Sequence, residues 1–224
     1  MSESTWDAVD DFIAAHLVPS DPVLETALAA SAQGGLPEIQ VSAAQGKMLM
    51  ILARLRGARS ILEIGTLGGY STLWLSRGLA AGGRIVTLEV NPKHAEVARA
   101  NFQRGGVVGA IELHVGPALE TLPRLASERA PFDMFFIDAD KTNNPAYFSW
   151  AVRLAAPGAL IVVDNVVRHG AVLDAASADP NVQGTRRLYE AIAAEPRVTA
   201  TAVQTVGHKG YDGFVMAIVA GGAA

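Results

Sequence analysis

The sequence predicts an α/β fold built on a doubly wound, mostly parallel sheet, and three observations predict it. From residue 60 onward, short apolar runs alternate with longer segments of helical period. The runs are apolar throughout rather than alternating, as strands covered by crossover helices on both faces must be. The chain then closes on two β-rich runs around a short polar loop, which reads as a hairpin adding an antiparallel pair. With 224 residues, 50% of them hydrophobic, it can bury a sizeable core, and its length suits one domain.

Taken in order, the first 45 residues hold two amphipathic helical patterns, broken by "VPSDP" and "QGGLPE", and no strand. Such a segment packs on the domain or on a partner subunit, leaving 46–224 as the core domain. Strands are expected at 60–64 (SILEI), 84–89 (RIVTLE), 111–115 (IELHV), 133–138 (DMFFID) and 159–164 (ALIVVD). Helices are expected at 71–80, 92–104, 117–128 and 144–155. A further helix at 181–194 precedes the final pair, 198–206 and 213–220, joined by "GHKGYD".

Composition excludes several functions. A net charge of −4 with scattered Lys and Arg offers no footprint for nucleic acid or an anionic membrane. The acidic start "MSESTWDAVDDF" lacks the features of a signal peptide, and no apolar run approaches a membrane span, so a cytoplasmic location is expected. Without cysteine there is no disulfide or thiolate chemistry, and any metal must take oxygen or imidazole ligands.

Parallel sheets bind ligands at the carboxyl ends of their strands, so the motifs there carry the argument. After the first strand comes "EIGTLGGYS", in which Gly65, Gly68 and Gly69 allow a tight turn and Ser71 can cap the next helix. The spacing does not fit the dinucleotide fingerprint. Glu63 lies where a pyrophosphate would be repelled and a cationic or zwitterionic ligand welcomed. Glu89, ending the second strand in "TLEVNP", can accept hydrogen bonds from ribose hydroxyls.

The runs "ILEIGTLGGYSTLWLS", "TLEVNP", "FFIDADK" and "LIVVDNVV" together resemble the cation-dependent O-methyltransferases related to catechol and caffeoyl-CoA O-methyltransferases, over roughly residues 36 to 220. The resemblance implies a class I methyltransferase fold, Rossmann-like, with a seven-stranded sheet and S-adenosylmethionine (SAM) as cofactor. It implies that Val41 and Ser42 border the cofactor, that Glu63, Gly65, Thr66, Gly69 and Ser71 run along its methionine and ribose end, and that Glu89 holds the ribose. Ala118 would then face the adenine, and Asp138 and Asp140 would add further contacts. It also suggests a homodimer. The sequence departs from the catechol enzymes at Ala139, where they carry an aromatic that walls the substrate pocket.

Asp138 ends the fourth strand and Asp164-Asn165 ends the fifth, so neighbouring strands would bring three side-chain oxygens together. Hard cations choose such a set, Mg²⁺ or Mn²⁺ ahead of Ca²⁺. Vicinal hydroxyls on an aromatic ring could complete the coordination, and the phenol bound there would be acidified. Lys141, three residues after Asp138, would share that side of the site, and the resemblance implies that it is the general base. The bland reading makes Asp138 and Asn165 caps and Lys141 a surface residue.

The five histidines show no ligand spacing for zinc. Arg168 and His169 either line the acceptor pocket or sit in an exposed loop, and Asp212-Gly213 reads as part of the hairpin loop. Trp6, Trp74 and Trp150 belong to core or interface. The reading that results is a SAM- and cation-dependent O-methyltransferase acting on a small phenolic acceptor. Its rivals are a nicotinamide-dependent oxidoreductase and a non-enzymatic binder of SAM or an aromatic ligand.

Overall fold

The computed structural model describes residues 3–128 and 131–221. Three helices, α1 (Glu3–Leu17), α2 (Pro22–Gln33) and α3 (Ala43–Arg56), precede the first strand. The alternating part follows as β1 (Ser60–Ile64), α4 (Tyr70–Gly78), β2 (Arg84–Glu89), α5 (Pro92–Arg104), β3 (Ile111–Val115), α6 (Ala118–Glu128), β4 (Phe132–Ile137), α7 (Asn144–Leu154) and β5 (Ala155–Asp164). The chain finishes with α8 (Pro180–Ala193), β6 (Val198–Thr205) and β7 (Asp212–Val219).

The seven strands form one sheet in the order β3-β2-β1-β4-β5-β7-β6. The first five are parallel, and β7 runs antiparallel to both β5 and β6. The chain winds outward from β1 in one direction and from β4 in the other. The crevice between the ends of β1 and β4 is therefore a topological switch point, where ligands of open α/β sheets sit.

Period-two alternation explains the unbroken apolar runs, because both faces are covered. Phe135 and Ile137 pack with Leu62, Ile64, Ile161 and Val163 toward α6, α7 and α8. Met134 and Phe136 pack with Ile61, Ile85 and Val162 toward Leu49, Leu73 and Phe102 of the opposite helices. Each such fully buried side chain contributes about 1.5–3 kcal/mol.

Helix ends follow local chemistry. Ser42 and Gln45 make a reciprocal capping box at the start of α3, which Gly57 ends in the left-handed region. Asn91 caps α5 and Asp179 caps α8, each just before a proline. The division drawn at residue 45 falls inside α3, whose start at Ser42 precedes it. α3 packs on α4 and is part of the core, while α1 buries none of its residues. No helix among the described residues is long and apolar enough to cross a membrane.

Candidate active site

The glycine turn leaves β1 pressed against the end of β4. Gly65 has φ +100°, and a Cβ there would collide with the Asp138 carbonyl oxygen. Leu67 is also left-handed, at φ +49°, an uncommon state for leucine. Glu89 holds it there: Oε2 accepts from Thr66 N at 3.2 Å and from Leu67 N at 2.7 Å, while Oε1 accepts from Asn91 N at 2.9 Å. Nδ1 of His94 lies 3.5 Å from that second oxygen. A carboxylate offers about four acceptor positions. Three serve the backbone, which leaves room for one hydroxyl from the cavity side.

Glu63 behaves differently from its place in the motif. It is fully buried and receives Ser71 Oγ at 2.6 Å, Thr87 Oγ1 at 2.7 Å and the Thr72 hydroxyl. Burial pushes its carboxyl up to about 7, against the pull of those three hydroxyls. Glu63 lies outside the cavity lining, in the layer beneath the turn. Gly69 is likewise absent from the lining, and a Cβ there would meet the Phe102 ring. The resemblance implied that both run along the cofactor, but a position along strand and turn does not say which way a group faces.

At the other wall, Ile137 pairs with Val163, so Asp138 and Asp164 follow at adjacent strand ends. Lys141 Nζ donates to Asp138 Oδ1 at 2.7 Å. The Asp164 carboxyl is pushed up, first by burial and then by the charge of Asp138, against the pull of Lys141 and of the Asn165 N–H, which donates to its Oδ1 at 2.8 Å. Asn165 is left-handed at φ +59°, a conformation asparagine tolerates. Among the described residues no three His, Cys, Asp or Glu side chains converge on a metal position, so a third donor would be the Asn165 amide. Two mutually repelling carboxyls beside an amide oxygen fit a hard divalent cation, whose charge would relieve that repulsion.

Between these walls lies a cavity of about 960 Å³, at the upper end of ligand sites and large enough for more than one small molecule. Val41, Ser42, Gly65, Thr66, Ser71, Glu89 and Ala118 line it, as do Asp138, Asp140, Lys141, Asp164, Asn165, Arg168 and His169. Ser71 and Asp140 spend their polar atoms inside the protein. The Ser71 hydroxyl is given to Glu63, and the Asp140 carboxylate accepts from Tyr147 Oη at 2.5 Å and from Asn143 Nδ2 at 2.6 Å. Burial and the neighbouring Asp140 together raise the Tyr147 phenol. Ala139 also lines the cavity, so its wall is open where an aromatic would narrow it.

Sequence reasoning missed His94, Tyr147 and Asp212 as cavity residues. His94 lies five residues past Glu89, at the start of α5, and could have been paired with it. Tyr147 sits seven residues past Asp140, two turns along if the helix began there. Asp212 carried no signal beyond a hairpin Asp-Gly.

Comparison with known proteins finds relatives along most of the chain. The sequence model of a family described as O-methyltransferase matches residues 15–217. A catechol O-methyltransferase of Mycobacterium tuberculosis is 57% identical over 211 residues, covering 94% of each chain. The crystal structure of an O-methyltransferase from Bacillus cereus in complex with SAH superposes with a TM-score of 0.96 at 56% identity, covering 97% of this chain and 100% of that one. The O-methyltransferase TomG from Streptomyces achromogenes, involved in tomaymycin synthesis and solved in complex with SAM, gives 0.95 at 50% identity, covering 99% and 100%.

Proposed function

The chain belongs to the O-methyltransferase family, and on that premise we propose that it moves a methyl group from SAM to one hydroxyl of a vicinal-diol phenol, using a divalent cation and Lys141 as general base. The observation that carries the reading is the meeting of Asp138, Asp164 and Lys141 at adjacent strand ends on one wall of a cavity whose other wall is the glycine turn.

In this reading the turn from Gly65 to Leu67, braced by Glu89, positions the cofactor, and the spare acceptor on Glu89 takes a ribose hydroxyl. Asp138, Asp164 and Asn165 would hold the cation, which when bound would acidify and orient a chelating diol. As the free amine, Lys141 would take the phenolic proton at Nζ, and Asp138 keeps that nitrogen aimed. Orientation of acceptor and donor in one cavity can supply about 7–11 kcal/mol of the barrier, so the protein needs no covalent intermediate. Family membership and the absence of the dinucleotide spacing argue against nicotinamide chemistry, and a non-enzymatic binder has no use for a lysine beside two carboxyls.

A homodimer is part of the proposal. Phe12 and Leu17 of α1 and Leu55 of α3 are 65%, 60% and 79% exposed, and α1 buries none of its residues. Light scattering reports this directly. The central test is transfer of labelled methyl from SAM to catechol, with Mg²⁺ and with EDTA. Transfer that is equal in both sinks the cation, and no transfer to any diol sinks the function.

A further inference from the structure

We propose that Arg168 reads an anionic substituent on the acceptor, so that the preferred substrate is a carboxylate-bearing catechol rather than a neutral one. The inference rests on the methyl transfer proposed above and names the substrate class of that same site.

The observation is a pair of consecutive left-handed residues that are not glycine. Arg168 has φ +56° and His169 φ +54°, three and four residues beyond Asn165. Each costs about 1–2 kcal/mol and persists only where surrounding structure fixes it. Asp212 is that structure. Its Oδ1 accepts from Val167 N at 2.9 Å, from Arg168 N at 3.0 Å and from Gly213 N at 3.0 Å, and His169 N donates to the Tyr211 carbonyl at 3.1 Å. Three of these contacts hold the segment 167–169 at the edge of the cavity, and the one from Gly213 N fixes the Asp212 carboxylate itself.

That segment presents Arg168, half-buried, to the cavity on the side of Asp164 and Asn165. Among the described residues its guanidinium has no carboxylate partner. Of the other basic residues at the cavity, Lys141 pairs with Asp138, His94 lies beside Glu89, Lys209 donates to the Glu38 carbonyl at 3.2 Å, and His169 is exposed to solvent. The rim also carries two acids. Asp10 accepts from His208 N at 2.9 Å, and Glu38 is exposed to solvent, so neither neutralises Arg168. A guanidinium presents a planar fork of donors that matches a carboxylate in two parallel hydrogen bonds. A thioester tail with several phosphates would need several unpaired cations, and this rim supplies one.

The test compares 3,4-dihydroxybenzoate, its methyl ester and catechol as acceptors, with labelled SAM and Mg²⁺. The wild type should favour the acid over the ester by at least about tenfold in kcat/KM, the scale of one charge-assisted pair. Arg168→Gln should raise KM for the acid by a similar factor and bring the acid-to-ester ratio of kcat/KM close to one, with Arg168→Lys recovering part of the preference. Asp212→Ala should weaken the acid preference in the same direction. A second readout needs no turnover: binding of 3,4-dimethoxybenzoate to the protein with SAH present should weaken in Arg168→Gln. Equal use of acid and ester by the wild type, or Arg168→Gln affecting both alike, overturns the assignment of Arg168 while leaving methyl transfer standing. No transfer to any of the three overturns both.

Discussion

Lys141 Nζ lies 2.7 Å from Asp138 Oδ1, and the ammonium is the more buried partner, its side chain 8% exposed against 22% for the carboxylate. A lysine with a surface role would be the reverse. Lys141→Met should lower kcat by roughly 10²-fold or more, the scale of lost general-base catalysis. Affinity for SAH, measured by calorimetry, should stay within about threefold, because the glycine turn is untouched. A variant with wild-type turnover, where chemistry is shown to limit the rate, removes Lys141 from the role of base.

The position of Lys141 is set from outside the cavity. Gly184 of α8 abuts the Lys141 carbonyl, and a Cβ there would collide with backbone that cannot rotate away. Gly184→Ala should therefore displace the segment carrying Lys141 and lower kcat at least tenfold, with a stability loss of about 1–3 kcal/mol from overpacking. Gly109 has open space around it, so Gly109→Ala is the control and should change neither quantity. Kinetics and urea titration of the two variants together decide the point.

The frame of this site was legible in the sequence because burial on both faces leaves a strong pattern. Strands such as β2 at 84–89 and β3 at 111–115 and the helix α5 at 92–104 lie where periodicity places them, and the ends of β4 and β5 are neighbours as the winding requires. What lay outside its reach was direction. Glu63 and Glu89 both lie in the last two residues of strands that run into turns, yet one is sealed under three hydroxyls and the other braces the turn at the cavity. Asp212 was illegible for a related reason: its carboxylate serves backbone 44 and 45 residues away in the chain, a contact no local pattern encodes.

The buried Glu63 should give the protein a measurable pH dependence. Its carboxyl is raised from 4.5 to about 7 in the fold. Below pH 4.5 it is protonated folded and unfolded, and it contributes nothing to the pH slope. Between 4.5 and 7 the folded state binds the extra proton, so stability falls as pH rises, by an amount on the order of 3 kcal/mol in total. Above 7 the penalty is complete and constant. Glu63→Gln should flatten this fall, which urea denaturation at pH 5, 6, 7 and 8 would reveal as a difference between variant and wild type. Parallel curves for the two proteins would assign the slope to other groups.

Asp164 allows the cation to be tested without any turnover. Its carboxyl is 6% exposed and faces the charge of Asp138, with one ammonium shared between them. Burial and the charge of Asp138 disfavour the ionised form of Asp164, and an amide of the same shape removes that penalty. Asp164→Asn should therefore melt at or above the wild-type temperature in EDTA at pH 8. Mg²⁺ should raise the melting temperature of the wild type, because a ligand that binds only the folded state stabilises it in proportion to its occupancy. In Asp164→Asn that increment should vanish at the same concentration, since the site has lost one of its two carboxylates. Asn165→Ala removes a neutral oxygen and should keep the increment at higher Mg²⁺. The order matters: a misfolded variant would melt lower in EDTA, whereas a folded protein that has lost its cation would melt no lower and stop responding. Wild type that melts identically with Mg²⁺, Mn²⁺ and EDTA would reduce Asp138 and Asp164 to a strained structural pair.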